Sequence, residues 1–166
     1  MLNQHRRQVS LSLMSFDMPV WSVTRAAATL YPQDDNQFHV LLTEPIVQER
    51  LLNETASTVK TLSRSPRLLW LEMSEYRVIM TMQGNGRFSY RHFWEPGVYG
   101  ANRYWLQSKS HEGEKIQLRN FTRSLDLTGH NVADQDVPER MRLEYELWSY
   151  DLCLGHYVMN LDVHPS

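Results

Sequence analysis

Residues 141–147 read Met-Arg-Leu-Glu-Tyr-Glu-Leu, the clearest strand pattern in the chain. Its apolar and charged side chains alternate with period two, which puts Met141, Leu143 and Tyr145 on one face of a β-strand and the charges on the other. Similar alternation extends over residues 67–164, interrupted at short intervals by turn residues. Because sequential strands joined by short turns usually pair with each other, the sequence predicts an antiparallel meander.

One helix is predicted before this meander, over about residues 44–64. Thr43 can cap its first turn, Glu44 lies near the positive end of the helix dipole, and Pro45 needs no hydrogen-bonded N–H there. An apolar stripe at helical spacing follows, made of Val47, Leu51, Val59 and Leu62. The predicted fold class is therefore α+β, with a strongly curved antiparallel sheet or β-barrel-like meander and one main helix before it. Residues 1–166 are expected to form a single domain, because a chain of this length suits one hydrophobic core.

Composition argues against several classes of protein. The net charge of −2 and the pI of about 6.4 disfavour nucleic-acid binding, which usually depends on a basic surface. No stretch approaches the ~18 consecutive apolar residues of a transmembrane helix, so no membrane partner is expected. The N-terminal apolar run is interrupted by serines and is too polar for a signal peptide, which favours a cytoplasmic protein. Cys153 is the single cysteine, and its apolar neighbours indicate a packed thiol.

The strongest candidate for a binding site is an aromatic wall on two successive predicted strands, residues 87–94 and 98–107. Its ligand-binding residues are predicted to be Tyr90, His92 and Trp94 on the first strand, and Arg103 and Trp105 on the second. Aromatic rings that carry polar atoms give a small-molecule pocket both affinity and orientation. The alternative interpretation is an aromatic core that includes tyrosine and histidine and binds nothing.

Two further arginines are predicted to bind the acidic group of the ligand. Arg119 and Arg123 alternate with apolar side chains, on the same face as Phe121 and Leu125. If that face points inward, each cation needs a partner, because an unpaired buried charge is costly. A ligand carboxylate or phosphate held by the guanidinium fork would supply one. The structural alternatives are an ion pair with Glu72, Glu144 or Glu146, or water, if the opposite face of residues 115–127 is the inner one.

Motifs for metal binding and nucleophilic catalysis are absent from the sequence. No Cys/His spacing resembles a zinc site, and His156 and His164 would lie roughly 26 Å apart along one strand. No Gly-x-Ser-x-Gly nucleophile elbow occurs. No metal and no cofactor are therefore predicted. Two acid–base groups inside the sheet stay open as alternatives: Tyr76 with His92 and Glu95, or Tyr157 with Glu144.

These observations leave three functions open. The leading hypothesis is a protein that binds a small planar or aromatic acid on the concave face of the sheet. The alternatives are a cofactor-free isomerase, cyclase or lyase that uses Tyr, His or Glu in the same cavity, and a non-catalytic adaptor that binds another protein. A homodimer is also open. The size and the meander are similar to those of the calycins, but their Gly-x-Trp sequence is missing, since Trp21 follows Pro19-Val20. That similarity is architectural and implies no particular function.

Overall fold

The structure is a computed structural model that describes residues 4–18, 21–33, 37–44, 67–83, 88–106, 117–132 and 135–165. Every helix or strand element within these ranges is a β-strand. The strands are, in chain order, β1 (His5–Ser15), β2 (Trp21–Pro32), β3 (Phe38–Glu44), β4 (Arg67–Met73), β5 (Val78–Gln83), β6 (Phe88–Trp94), β7 (Tyr99–Ala101), β8 (Arg103–Leu106), β9 (Leu118–Val132), β10 (Gln135–Ser149) and β11 (Leu152–Val163).

These strands form one antiparallel sheet in the order β7-β9-β10-β11-β1-β2-β3-β4-β5-β6-β8. β7 and β8 are two parts of one chain segment, residues 99–106, which we call the closure segment. Its β8 part pairs with β6, and its β7 part pairs with β9. The closure segment therefore joins both edges of the sheet and nearly closes it into a barrel. The single strand predicted over residues 98–107 is thus two short strands with different partners.

A buried amide pair and a close backbone approach hold the closure segment in place. The side-chain amides of Asn102 and Asn120 exchange two hydrogen bonds, of 3.0 and 2.8 Å. Gly100 lies so near β6 that a Cβ atom there would be 2.3 Å from the carbonyl oxygen of Phe93. Only glycine fits at this approach without moving one of the two strands.

The predicted α+β class is wrong, because the described chain is all-β and contains no helix. Thr43 and Glu44, the expected start of the helix, belong to β3 and pair with Leu68 and Arg67 of β4. Continuous pairing with β4 outweighs the local capping pattern, since a helix cap is worth only ~1 kcal/mol. The remainder of the predicted helix lies outside the described residues. No helix within the described ranges is long and apolar enough to cross a membrane.

The antiparallel sheet predicted over residues 67–164 is confirmed. Its core lies in the barrel interior and consists of alternate side chains of the strands. Leu143 is fully buried and Tyr145 is 7% exposed, as predicted, whereas Glu144 between them faces the other side of the sheet. The β9–β10 pair contains a β-bulge, because Arg123 is an extra residue between the pairs Thr122–Tyr145 and Ser124–Glu144. A bulge of this kind shifts the alternation of inner and outer side chains by one position.

Candidate functional site

The barrel interior contains a group of ring side chains that we call the inner aromatic cluster. Its members come from strands that are distant in the sequence: Tyr90, His92 and Trp94 on β6, Tyr104 on β8, Tyr145 on β10 and Tyr157 on β11. Period-two alternation brings the three β6 residues to one face, as predicted, and closure of the sheet brings the tyrosines to them. Trp94 is fully buried, whereas Tyr90, His92, Tyr104 and Tyr157 are half-buried. The cluster therefore extends from the core towards solvent.

The rings of the cluster form a continuous series of contacts. The centroid of the His92 ring lies 4.6 Å from that of Tyr90 and 5.4 Å from that of Trp94. The Trp94 ring is in turn 5.4 Å from that of Tyr145, which stacks on Tyr157 at 5.5 Å. These separations lie in the range in which aromatic pairs attract each other.

A hydrogen bond of 2.9 Å joins Nε2 of His92 to the hydroxyl of Tyr104. Burial lowers the pKa of His92 to about 4, so its imidazole is neutral near pH 7. Burial also raises the pKa of Tyr104. Burial, together with the neighbouring tyrosines, raises the pKa of Tyr145. The inner aromatic cluster therefore presents neutral polar groups to the interior.

Two buried polar atoms have no hydrogen-bond partner among the described residues: Nε1 of Trp94, within the cluster, and Oγ1 of Thr122, next to it. Both residues neighbour Tyr145, which pairs with Thr122 across the sheet and touches the Trp94 ring. An unpaired buried polar group costs ~1–3 kcal/mol, and native proteins normally satisfy it with protein, water or ligand. Because an indole N–H can only donate, the matching partner of Trp94 has to carry a hydrogen-bond acceptor.

The structure separates the predicted ligand-binding residues into two groups. Tyr90, His92 and Trp94 lie together in the interior, whereas Arg103, Arg119 and Arg123 are exposed on the outer face of the sheet. Trp105 pairs with Ser89 in the backbone register of β6 and β8, and its side chain lies outside the part of the chain that the structure describes. Tyr104, Tyr145 and Tyr157 were not predicted to belong to the cluster. Tyr104 joins it through the pairing of β8 with β6, and closure of the sheet brings Tyr145, with Tyr157 stacked on it, to Trp94.

The bulge in β9 explains why the arginines face outward. Before the bulge Asn120 and Thr122 are buried, and after it Leu125 packs against the core. Strict alternation would have placed Arg119, Arg123 and Leu125 on one face, and the extra residue breaks that alternation. Arg119 and Arg123 therefore face outward and not inward, which was one of the orientations considered. Their position gives no support to ligand binding in the interior.

Both arginines have structural partners on the outer face. Arg119 donates a hydrogen bond of 3.0 Å to the carbonyl oxygen of Tyr150, and its guanidinium carbon lies 5.4 Å from the centre of the Tyr99 ring. Arg123 donates from Nε to Oε1 of Glu146 at 2.7 Å. An ion pair with Glu146 was one of the structural alternatives for these arginines, and the structure shows it for Arg123.

Glu146 is the centre of an outer polar cluster. Its members are Asp17, Arg123, Glu146, Trp148, Cys153 and His156. Glu146 is only 8% exposed, and Nε1 of Trp148 donates to its Oε2 at 2.9 Å. Burial opposes ionisation of this carboxyl, but the hydrogen bonds from Trp148 and Arg123 and the charge of Arg123 outweigh it and lower the pKa of Glu146. The sequence did not indicate this cluster, because residues 153 and 156 lie on opposite faces of a regular strand.

Neither of the acid–base groups considered from the sequence is assembled. Tyr76 is 77% exposed in the turn before β5, whereas His92 faces the interior. Glu144 and Tyr157 lie on opposite faces of the sheet, since Tyr157 pairs with Tyr145. Tyr104 is the partner of His92 instead.

Four of the exposed large apolar side chains lie at the β1–β2 hairpin. They are Met14, Phe16, Met18 and Trp21, and Trp21 is 70% exposed. Large exposed apolar patches often mark contacts with other proteins. The adaptor and homodimer hypotheses stay predictions, and this hairpin is where they would be tested.

A surface groove lies at the other end of the barrel, between β3, β4 and β5. It is lined by Gln37, His39, Glu72, Met73, Ser74, Arg77 and Ile79. Its volume is about 110 Å³. Pockets for drug-sized ligands usually measure about 300–1,000 Å³, so this groove is a poor candidate for one.

Comparisons with known proteins support the fold and name no function. No family model matches the chain, and neither does any curated protein. Among solved structures, the chain is similar to the crystal structure of the ywiB protein from Bacillus subtilis, with a TM-score of 0.56 and 10% sequence identity. The similarity covers 98% of this chain and 92% of that one. At such low identity it shows a common fold alone.

Proposed function

We propose that the protein binds a small planar ligand inside the barrel, against the inner aromatic cluster. The observation that carries the proposal is the chemistry of this interior wall. Its rings provide flat apolar area, and its hydroxyl, imidazole and indole groups provide hydrogen bonds. A few polar groups within an apolar concave surface are typical of small-molecule sites.

The polar groups of the cluster define the class of ligand. Trp94 Nε1 is a buried donor with no partner among the described residues, and it requires an acceptor such as a carbonyl or ring nitrogen. His92 is neutral near pH 7 because burial holds its pKa at about 4. The sequence predicted a ligand with an acidic group bound by Arg119 and Arg123. Both arginines lie on the outer face of the sheet, so their position does not support an acidic group on a ligand in the interior. The proposed ligand is therefore planar, aromatic or conjugated, and carries a hydrogen-bond acceptor.

The same chemistry favours binding over acid–base catalysis. A general base works best when its pKa lies near the operating pH. Burial moves the pKa of His92 to about 4, which leaves it a weak base, and burial raises that of Tyr104. Both groups are thus suited to hydrogen bonding and poorly suited to moving protons at neutral pH.

The test starts with native mass spectrometry of freshly purified protein and a thermal-shift screen of planar aromatic compounds. Calorimetry then compares the wild type with Trp94→Phe and Tyr104→Phe. Each variant keeps an aromatic ring and removes one donor, so we expect binding to weaken by about 0.5–1.5 kcal/mol, or roughly twofold to tenfold.

Tyr76→Phe is the matched control, because it removes a hydroxyl from a side chain that is 77% exposed and does not belong to the cluster. We expect this variant to bind as the wild type does. Equal affinity of a ligand for all four proteins would place its site elsewhere. If no compound binds and no mass co-purifies, the cluster is an aromatic core and the proposal fails.

A further inference from the structure

The outer polar cluster contains three potential metal ligands that a bulge brings together. Gly155 of β11 pairs with Leu147 and Cys153 pairs with Trp148, so Leu154 is an extra residue. The shift places Cys153 on the same outer face as His156. Glu146 lies on that face too, directly opposite His156 on the neighbouring strand. One ligand atom from each of Glu146, Cys153 and His156 lies within 4.8 Å of the others.

We propose that Glu146, Cys153 and His156 bind one Zn²⁺ ion, with solvent as the fourth ligand. Nε2 of His156 lies 3.4 Å from Oε1 of Glu146. Two such ligands at the usual Zn–N and Zn–O distances of about 2.1 Å and at the tetrahedral angle are about 3.4 Å apart. The two ligand atoms of His156 and Glu146 are therefore already as far apart as a tetrahedral zinc ion requires. A Zn–S distance of about 2.3 Å at the tetrahedral angle places the sulfur about 3.6 Å from each of the other two ligand atoms. The Cys153 ligand atom already lies within 4.8 Å of both, so it has to come closer to each by at most about 1.2 Å.

The donor atoms select the class of metal. A thiolate with an imidazole and a carboxylate is typical of zinc, whereas magnesium and calcium prefer oxygen ligands alone. His156 and Cys153 are both partly exposed, so the ion can enter and keep a solvent molecule. Three protein ligands with an open position distinguish this arrangement from a closed structural zinc site.

Neighbouring side chains orient the proposed ligands. Oδ2 of Asp17 lies 3.5 Å from Nδ1 of His156 and accepts the His156 backbone N–H at 2.7 Å. A carboxylate at Nδ1 favours the tautomer that leaves Nε2 free for a metal. Trp148 and Arg123 fix the Glu146 carboxylate through its two oxygens. With the ion bound, the charges of thiolate, two carboxylates, guanidinium and Zn²⁺ cancel.

The competing explanation is an ion pair in which a protonated His156 sits between Asp17 and Glu146. That ion pair does not involve Cys153, so the participation of the Cys153 thiol distinguishes metal binding from the ion pair. The experiment is a titration of the full chain with Zn²⁺ against a chromophoric chelator. Co²⁺ serves as a second probe, because a coordinating thiolate produces a charge-transfer absorption band. We expect one equivalent of Zn²⁺ per chain and a thiolate band with Co²⁺.

Three variants decide the assignment. Cys153→Ser leaves the pair of Arg123 and Glu146 intact, and we expect it to lose the thiolate band and to weaken Zn²⁺ binding more than tenfold. Asp17→Asn removes an orienting contact and should weaken binding roughly tenfold to a hundredfold while keeping the band. His164→Gln, just beyond the end of β11, is the control and should bind as the wild type does.

The proposal is overturned if the wild type takes up no stoichiometric Zn²⁺, or if Cys153→Ser binds it equally well. Binding that depends on His164 would also overturn it. The site lies on the outer face of the sheet, opposite the inner aromatic cluster, so its failure leaves the proposed interior ligand site unaffected.

Discussion

We expect a fall in pH from 7 to 5 to destabilise the fold through His92. Burial places the pKa of this histidine at about 4 in the folded protein, below the ordinary value of 6.5. The unfolded chain therefore binds a proton more readily than the folded one. The stability that depends on neutral His92 is fully present above pH 6.5 and is lost progressively as the pH falls towards 4.

The size of the effect follows from the two pKa values. Each unit of difference corresponds to about 1.36 kcal/mol, and between pH 7 and pH 5 the linkage relation gives a loss of about 2 kcal/mol. The measurement is urea denaturation of the wild type and of His92→Gln at both pH values, extrapolated to water. Glutamine can still accept a hydrogen bond from Tyr104 but does not titrate.

Other titrating groups are common to both proteins, so their effects cancel in the comparison. We expect the wild type to lose about 2 kcal/mol more than His92→Gln between pH 7 and pH 5. His39→Gln, which changes a histidine on the outer face, should retain the wild-type loss. If the wild type and His92→Gln lose the same stability, His92 is not held neutral by burial, and the argument for a neutral interior fails.

Two further predictions concern packing. Leu143→Ala should lower the free energy of unfolding by about 2–5 kcal/mol, because Leu143 is fully buried. Glu144→Ala should lower it by much less. Equal losses for the two variants in urea denaturation would contradict the assignment of Leu143 to the inner face and Glu144 to the outer face. Gly100→Ala should destabilise by at least about 1–3 kcal/mol, because its methyl carbon would lie 2.3 Å from the Phe93 carbonyl oxygen, and Ala101→Ser next to it should change little. A melting temperature for Gly100→Ala equal to that of Ala101→Ser would show that β6 and β7 are not held so closely.

The strands were predictable from the sequence because their signal is local. The alternation at residues 141–147 and along β6 survives in the structure, so Leu143, Tyr145, His92 and Trp94 face inward as expected. The prediction of a helix was wrong because it, too, rested on a local signal. Thr43 and Glu44 carry a local capping pattern, but hydrogen bonds to β4, which follows more than twenty residues later, decide their conformation.

The sites were less predictable, because they depend on bulges and on long-range register. One extra residue at Arg123 reverses the faces of β9, and another at Leu154 brings Cys153 and His156 together. Period-two reasoning assumes an unbroken strand, so it cannot place such residues. The contact between His92 and Tyr104 likewise depends on how the closure segment pairs with β6.

The closure segment also has a consequence for aggregation. An open sheet has edge strands whose unpaired N–H and C=O groups can pair with strands of other molecules. Here the four residues of β8 and the three residues of β7 cover β6 and β9, which would otherwise be those edges. Local unfolding of the closure segment would expose the edges of β6 and β9 together, without global unfolding of the core. Conditions that loosen it should therefore make the chain self-associate while most of its sheet is still native.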